Sequence, residues 1–152
     1  MSKYIQTPIK SLDNLPKTLK IAFVVAERNK DYTQSLADIN AQVFLDHGYT
    51  QPDIFWVPGS LELPGFANNL LSRGYDIVIL FGVIIKGKTM HYEFISQAIF
   101  QGLVQLSITY PQHVLISWVL TVEDESLLQE RVTDNYARAA LNLYSEHAKL
   151  WS

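Results

Sequence analysis

Gly82-Val-Ile-Ile-Lys-Gly-Lys-Thr-Met-His-Tyr-Glu-Phe94 closes an apolar run over residues 77–85 and opens a helical pattern. Val83, Ile84 and Ile85 are β-branched, so they carry the run on as a strand. Lys86-Gly87-Lys88-Thr89 turns it, and His91 follows two residues later. A strand that passes into a helix through such a turn makes an anion site. The first N–H groups of a helix have no partner within it, and its dipole favours negative charge there. A histidine in the first helical turn stands beside that anion and can carry a proton near neutral pH. Together these point to chemistry on a small phosphorylated substrate. The same residues satisfy the Gly-x-x-x-x-Gly-Lys-Thr spacing of a nucleoside-triphosphate loop. That motif needs a loop between its glycines, and the spacer Val83-Ile84-Ile85-Lys86 prefers a strand.

Outward from this stretch, strand and helix patterns alternate. Residues 1–18 lack periodicity, carry Pro8 and Pro16, and read as an extended arm; residues 19–152 read as one domain. Strands are expected at 20–26, 53–57, 76–85 and 113–120. Helices are expected at 32–48, 61–73, 89–109 (with Phe94, Ile95, Ala98, Ile99, Leu103 and Leu106 inward), briefly from 124, and at 135–150. Nearly continuous apolar strands separated by helices imply a four-stranded parallel sheet covered on both faces, an α/β/α three-layer sandwich. Ligands of such sheets bind beyond the carboxyl ends of the strands. Those ends carry Glu27-Arg28-Asn29, Pro58-Gly59-Ser60-Leu61-Glu62, Lys86 to His91, and Thr121, so the polar residues gather on one edge.

Composition narrows the chemistry. The 152 residues include no cysteine, which removes disulfides, thiolate catalysis and Cys-based zinc sites. The net charge of −3 and the absence of a basic cluster leave no footprint for nucleic acid. The longest apolar run is too short to cross a bilayer. The polar start does not read as a secretion signal, so a cytoplasmic location is expected.

A second segment, Val57-Pro-Gly-Ser-Leu-Glu-Leu-Pro64, offers a tight turn at Gly59, N–H groups at Ser60 and Leu61, and a carboxylate at Glu62 that suits a polyol. With the Gly82 to Glu93 segment, the Val119-Leu120-Thr121 strand end and the Glu130-Arg131 pair, the chain resembles the lumazine synthase family over roughly residues 19–150. The resemblance implies a flavodoxin-like fold. It also implies a cofactor-free and metal-free condensation of 5-amino-6-(D-ribitylamino)uracil with 3,4-dihydroxy-2-butanone 4-phosphate, the penultimate step of riboflavin biosynthesis.

The resemblance implies roles as well. His91 falls on the family's proton-transfer histidine. Lys88, Thr89 and Arg131 fall on its phosphate contacts, and Ser60, Leu61 and Glu62 on its ribityl-binding turn. The backbone of Val83, Ile84 and Ile85 falls on its pyrimidinedione contact, and Arg138 near a second basic position. Two residues depart from the pattern: Arg28 stands where an aromatic ring usually covers the substrate, and Ser117 where Phe is frequent. The glycine-rich turn of capsid-forming members is replaced by Val132-Thr-Asp-Asn-Tyr136, which favours a pentamer or decamer of the chain over a 60-subunit shell. His47, His113 and His147 are assigned nothing, and Trp56, Trp118 and Trp151 are read as packing or subunit contacts. Two other functions stand beside the synthase: a flavin- or lumazine-binding relative with little catalysis, motivated by Arg28 and Ser117, and the nucleotide hydrolase.

Overall fold

The computed structural model describes residues 5–10, 12, 15–87 and 91–151. Four strands, β1 (Ile21–Ala26), β2 (Asp53–Val57), β3 (Ile77–Ile85) and β4 (Val114–Val122), form one sheet in the order β2-β1-β3-β4. Every pairing is parallel. The helices are α1 (Lys30–Asp46), α2 (Leu63–Leu71), α3 (Tyr92–Thr109) and α4 (Asn135–Trp151). The expected three-layer, flavodoxin-like sandwich is therefore the observed one.

Alternation along β3 divides the core in two. Ile77, Ile79, Phe81, Val83 and Ile85 face α1 and α4, where Leu36, Phe44, Tyr136 and Leu141 meet them. Val78, Leu80 and Ile84 face α2 and α3, against Leu63, Leu70, Ile99 and Leu103. All nine residues of β3 are buried. A strand buried on both faces has no polar side to alternate with, which explains the unbroken apolar run.

Most element bounds shift by a residue or two from their expected positions. The stretch expected as a short helix from 124 is two 3₁₀ turns, Glu125–Leu127 and Gln129–Arg131. The larger correction concerns α3. It starts at Tyr92, and His91 caps it instead of standing in its first turn. Its buried positions are Ser96, Ile99, Leu103 and Leu106. Phe94 and Ala98, expected inward, are exposed, Phe94 by 73%. The helix is apolar on two stripes, and Phe94, Phe100, Val104 and Ile108 form the outward one.

Residues 5–10 lie along α4, held largely through their main chain, with a side-chain bond from Gln6 to Asp134 (3.3 Å). The Asn135 side chain accepts from the Thr7 N–H (2.7 Å) and donates to the Ile5 carbonyl (2.9 Å). Asn142 repeats this with the Lys10 N–H (2.9 Å) and the Pro8 carbonyl (3.1 Å). The spacings match: two helical turns rise about 10.5 Å, and three extended residues span about 10 Å. Buried Asn40 on α1 ties down the start of α4. It accepts from the Ala137 N–H (2.8 Å) and donates to the carbonyls of Leu36 (2.8 Å) and Thr133 (2.9 Å).

Candidate active site

The strand order reverses between β1 and β3, and the carboxyl ends of these strands open a cleft there. In parallel α/β sheets this switch point is where ligands bind. β3 runs to Ile85, past its last β1 partner at Phe81, while β4 pairs with it to the end. The β1-side edge of Val83 to Ile85 is therefore outside the sheet ladder. Asn29 reaches the Val83 carbonyl across that gap through its amide Nδ2 (3.3 Å).

The polar segments meet at this edge because the β1–β2 ladder continues past both strands. The Glu27 N–H donates to the Val57 carbonyl (2.8 Å) and the Arg28 N–H to the Pro58 carbonyl (3.2 Å). Arg28 is thereby set beside the Pro58-Gly59-Ser60 turn. That turn becomes a 3₁₀ helix, Ser60–Glu62, which leads directly into α2. A cavity of about 150 Å³ is lined by Arg28, Gly59, Ser60, Leu61, Glu62, Val83, Ile84 and Ile95. Ser60 is buried, whereas Arg28, Leu61 and Glu62 are exposed. Six of the expected site residues thus surround one space. Ile85 is buried on the α1/α4 side of the sheet, so its side chain belongs to the core.

Gly82 explains how the turn comes so close to the strand. A Cβ at this position would lie 2.5 Å from Ser60 Oγ and 2.9 Å from Leu63 Cδ1. The glycine makes room for the turn to pack on β3, and its role is packing, not phosphate wrapping. The strand runs through Gly82, and the turn waits for Gly87, whose φ is +89°. This geometry contradicts a nucleoside-triphosphate loop between the two glycines.

His91 does not line the cavity, and its ring lies 6.1 Å from that of Phe94. Its carbonyl accepts from the Ile95 N–H (2.9 Å), so it lies one helical turn from a residue lining the cleft. It is exposed and left-handed, with φ 59° and ψ 39°. Among the described residues only His91 and Asn29 combine a side chain with positive φ. Asn29 bonds to the cleft edge at Val83, and His91 caps the helix whose Ile95 lines the cleft. Left-handed backbone costs a non-glycine residue roughly 1 kcal/mol or more, and such outliers gather at functional sites. Lys88 and Thr89, the expected phosphate contacts, lie outside the described residues.

The other expected residues are elsewhere in the chain. Ser117 lines a separate cavity of about 230 Å³ with Phe100, Leu103, Val104, Ser107 and Leu115, against the outward stripe of α3. Arg131 is exposed at the end of a 3₁₀ turn and lines a cavity of about 500 Å³ with Trp118, Tyr136, Ile5 and Thr7. Arg138 is ion-paired with Asp134 (3.2 Å) and donates to the Thr7 carbonyl (3.5 Å). The chain therefore carries the cleft residues, Ser117 and Arg131 in three different places. Sequence reasoning gave no site role to Asn29 or Ile95; it read Trp118 as a packing or subunit contact, and Trp118 stacks on Tyr136. For Asn29 a signal existed, since Asn tolerates left-handed backbone at a strand-to-helix junction. Among the described residues no group of three or more His, Asp or Glu is placed to hold a metal ion.

A flavodoxin-like parallel sheet with a polar cleft at its switch point defines an α/β domain of the kind whose ligands bind at that edge. The comparisons with known proteins carry this further. The family model for 6,7-dimethyl-8-ribityllumazine synthase matches residues 18–151. The chain belongs to this family. It is 37% identical over 90 residues to the 6,7-dimethyl-8-ribityllumazine synthase of Streptomyces avermitilis, covering 59% of this chain and 56% of that protein. It is 36% identical to that of Pyrococcus furiosus, covering 70% and 68%, and 33% identical to that of Thermococcus onnurineus, covering 87% and 91%. The match thus spans little more than half the length of the Streptomyces relative and nearly all of the Thermococcus one.

Proposed function

We propose that this chain is a transferase of riboflavin biosynthesis that condenses 5-amino-6-(D-ribitylamino)uracil with 3,4-dihydroxy-2-butanone 4-phosphate to 6,7-dimethyl-8-ribityllumazine, releasing phosphate. The observation that carries this is the convergence of Arg28, Ser60, Leu61, Glu62, Val83 and Ile84 on one cleft one helical turn from His91. Glu62 and the N–H groups of Ser60 and Leu61 meet the ribityl chain. The backbone of Val83 to Ile85 meets the pyrimidinedione edge, and Arg28 lies over its ring. The amine attacks the ketone, an imine forms, phosphate leaves, and ring closure expels water. Each stage moves protons, which suits one imidazole held beside the reacting carbons. Lys88, Thr89 and Arg131 take the phosphate. The reaction calls on no cofactor.

Residues 19–152 form the catalytic domain in this reading, with residues 1–18 as an arm, and the protein works in the cytoplasm. Among the described residues no helix is long and apolar enough to cross a membrane. The protein works as a homo-oligomer, a pentamer or decamer. Support comes from Ser117 and Arg131 lying away from the cleft, so that a neighbouring copy supplies them. The outward apolar stripe of α3 also fits a partner of the same kind. Native mass measurement checks this: a monomer or a complete 60-subunit shell contradicts it.

The decisive test incubates purified protein with both substrates and follows lumazine absorbance. Turnover above the uncatalysed condensation is expected. A rate equal to it, with tight lumazine binding, supports the binding-protein reading instead.

Arg28 gives a sharper expectation. A planar guanidinium can lie on a ring and also donate to its carbonyl oxygens. Arg28→Ala should weaken pyrimidine binding by about 1 kcal/mol or more, and Arg28→Trp should restore much of it. Titration of each variant with the pyrimidine checks this; unchanged affinity in Arg28→Ala makes the residue a bystander.

A further inference from the structure

The Arg131 peptide is held at both of its polar ends. Its N–H donates to the carbonyl of buried Leu128 (2.9 Å). Its carbonyl accepts from the phenol of Tyr136 (2.8 Å), which reaches back across the turn from the start of α4. Between the two, Val132 is extended, with φ −83° and ψ 90°. The Arg131 side chain is exposed in the cavity.

Tyr136 is fixed in turn. It is only 5% exposed, and its ring stacks on Trp118 of β4 with centroids 4.2 Å apart and planes 26° from parallel. Phe81 of β3 packs on it at 6.4 Å. Burial pushes its phenol up to about 12, with Thr133 and the Arg131 charge opposing the rise. The hydroxyl is thus a donor throughout the neutral range. The line of contact runs from the sheet through Trp118 and Tyr136 to the main chain of Arg131.

We infer that Tyr136, backed by Trp118, is a positioning residue for Arg131: it sets the place from which the guanidinium meets the phosphate of the butanone substrate. The inference rests on the reading of Arg131 as a phosphate contact. It goes beyond that reading by naming what holds the arginine in place. A guanidinium grips phosphate through a fixed fork of donors, so its backbone anchor governs the grip.

The test is steady-state kinetics of Tyr136→Phe, Arg131→Ala and the double variant, with thermal unfolding of each. Tyr136→Phe keeps the ring on Trp118 and removes only the hydroxyl. It should raise KM for the phosphorylated substrate roughly two- to tenfold, the range of one neutral hydrogen bond. The pyrimidine KM and kcat should move by less than about twofold, since binding of one substrate alone is affected. In the Arg131→Ala background the hydroxyl should make no further difference, because its effect passes through Arg131.

An equal rise in both KM values, or a full effect surviving without Arg131, overturns the inference and leaves Tyr136 a packing residue. Unchanged KM in Tyr136→Phe beside a raised KM in Arg131→Ala also overturns it, while sparing the role of Arg131. No effect of Arg131→Ala removes the phosphate reading and the inference with it. Should Tyr136→Phe fail to fold, Trp118→Phe carries the same test, because it loosens the ring and keeps the hydroxyl; the same selective rise is expected, and its absence overturns the inference.

Discussion

Replacing His91 by alanine should slow turnover by about 10² to 10⁴-fold, the usual contribution of a positioned acid–base group. Substrate affinities should change little. The lower end of that range is favoured, because holding two reactants together accelerates a condensation by itself. The backbone complicates alanine. His91 has φ 59°, and a left-handed alanine cap adds strain that could disturb the start of α3. His91→Asn separates the two effects, since asparagine tolerates that backbone and cannot transfer the proton. Both variants should lose kcat alike in single-turnover measurements, with near-parent unfolding for His91→Asn. Parent turnover in a folded His91→Asn protein removes the imidazole from the chemistry.

The second large effect is expected at a residue with no side chain. Gly82→Ala places a methyl 2.5 Å from Ser60 Oγ and 2.9 Å from Leu63 Cδ1. Leu63 is fully buried and Ser60 nearly so, which leaves their side chains little room to step aside. Overpacking of this kind costs about 1–3 kcal/mol, at roughly 2–4 °C of Tm per kcal/mol for a chain of this size. The displaced turn carries Ser60 to Glu62, so pyrimidine affinity should fall along with Tm. Removing the Ser60 side chain in the same protein, as Ser60→Gly, should recover part of the lost stability. Calorimetry and pyrimidine titration check both parts. Parent values for Gly82→Ala show that the turn has slack to spare.

The sheet was legible because its two central strands, β1 and β3, are buried throughout and read as unbroken apolar runs, with β2 and β4 partly buried beside them. The site edge was legible because each run ends in a short polar segment, and parallel pairing puts those ends together. Helix α3 was harder. With apolar residues on two stripes, periodicity finds an amphipathic helix and cannot say which stripe belongs to the core. Phe94 was therefore expected inward and lies outward. The cap at His91 hides for a different reason: a single left-handed residue at a helix start leaves no mark on the apolar periodicity. Ser117 and Arg131 could be picked out as residues but not located. Neighbours along β4 face opposite sides of the sheet, which puts Ser117 beside α3 and Trp118 beside Tyr136. The Trp118–Tyr136 stack joins positions far apart in the chain, and nothing local announces it.

The grip of Asn135 and Asn142 on residues 5–10 has a consequence for how this chain can drift. Every bond in that grip ends on an N–H or carbonyl of Ile5, Thr7, Pro8 or Lys10, and none on their side chains. These two amides read the segment as a length of extended peptide, while Gln6 and Ile9 add side-chain contacts, to Asp134 and to the core. Substitutions of the exposed side chains of Pro8 and Lys10 should pass almost unnoticed, provided the N–H at position 10 is kept. The vocabulary of the contact is written instead on α4, in two amides spaced two turns apart. A single change there, or one residue gained or lost between positions 7 and 10, would put the two ladders out of step.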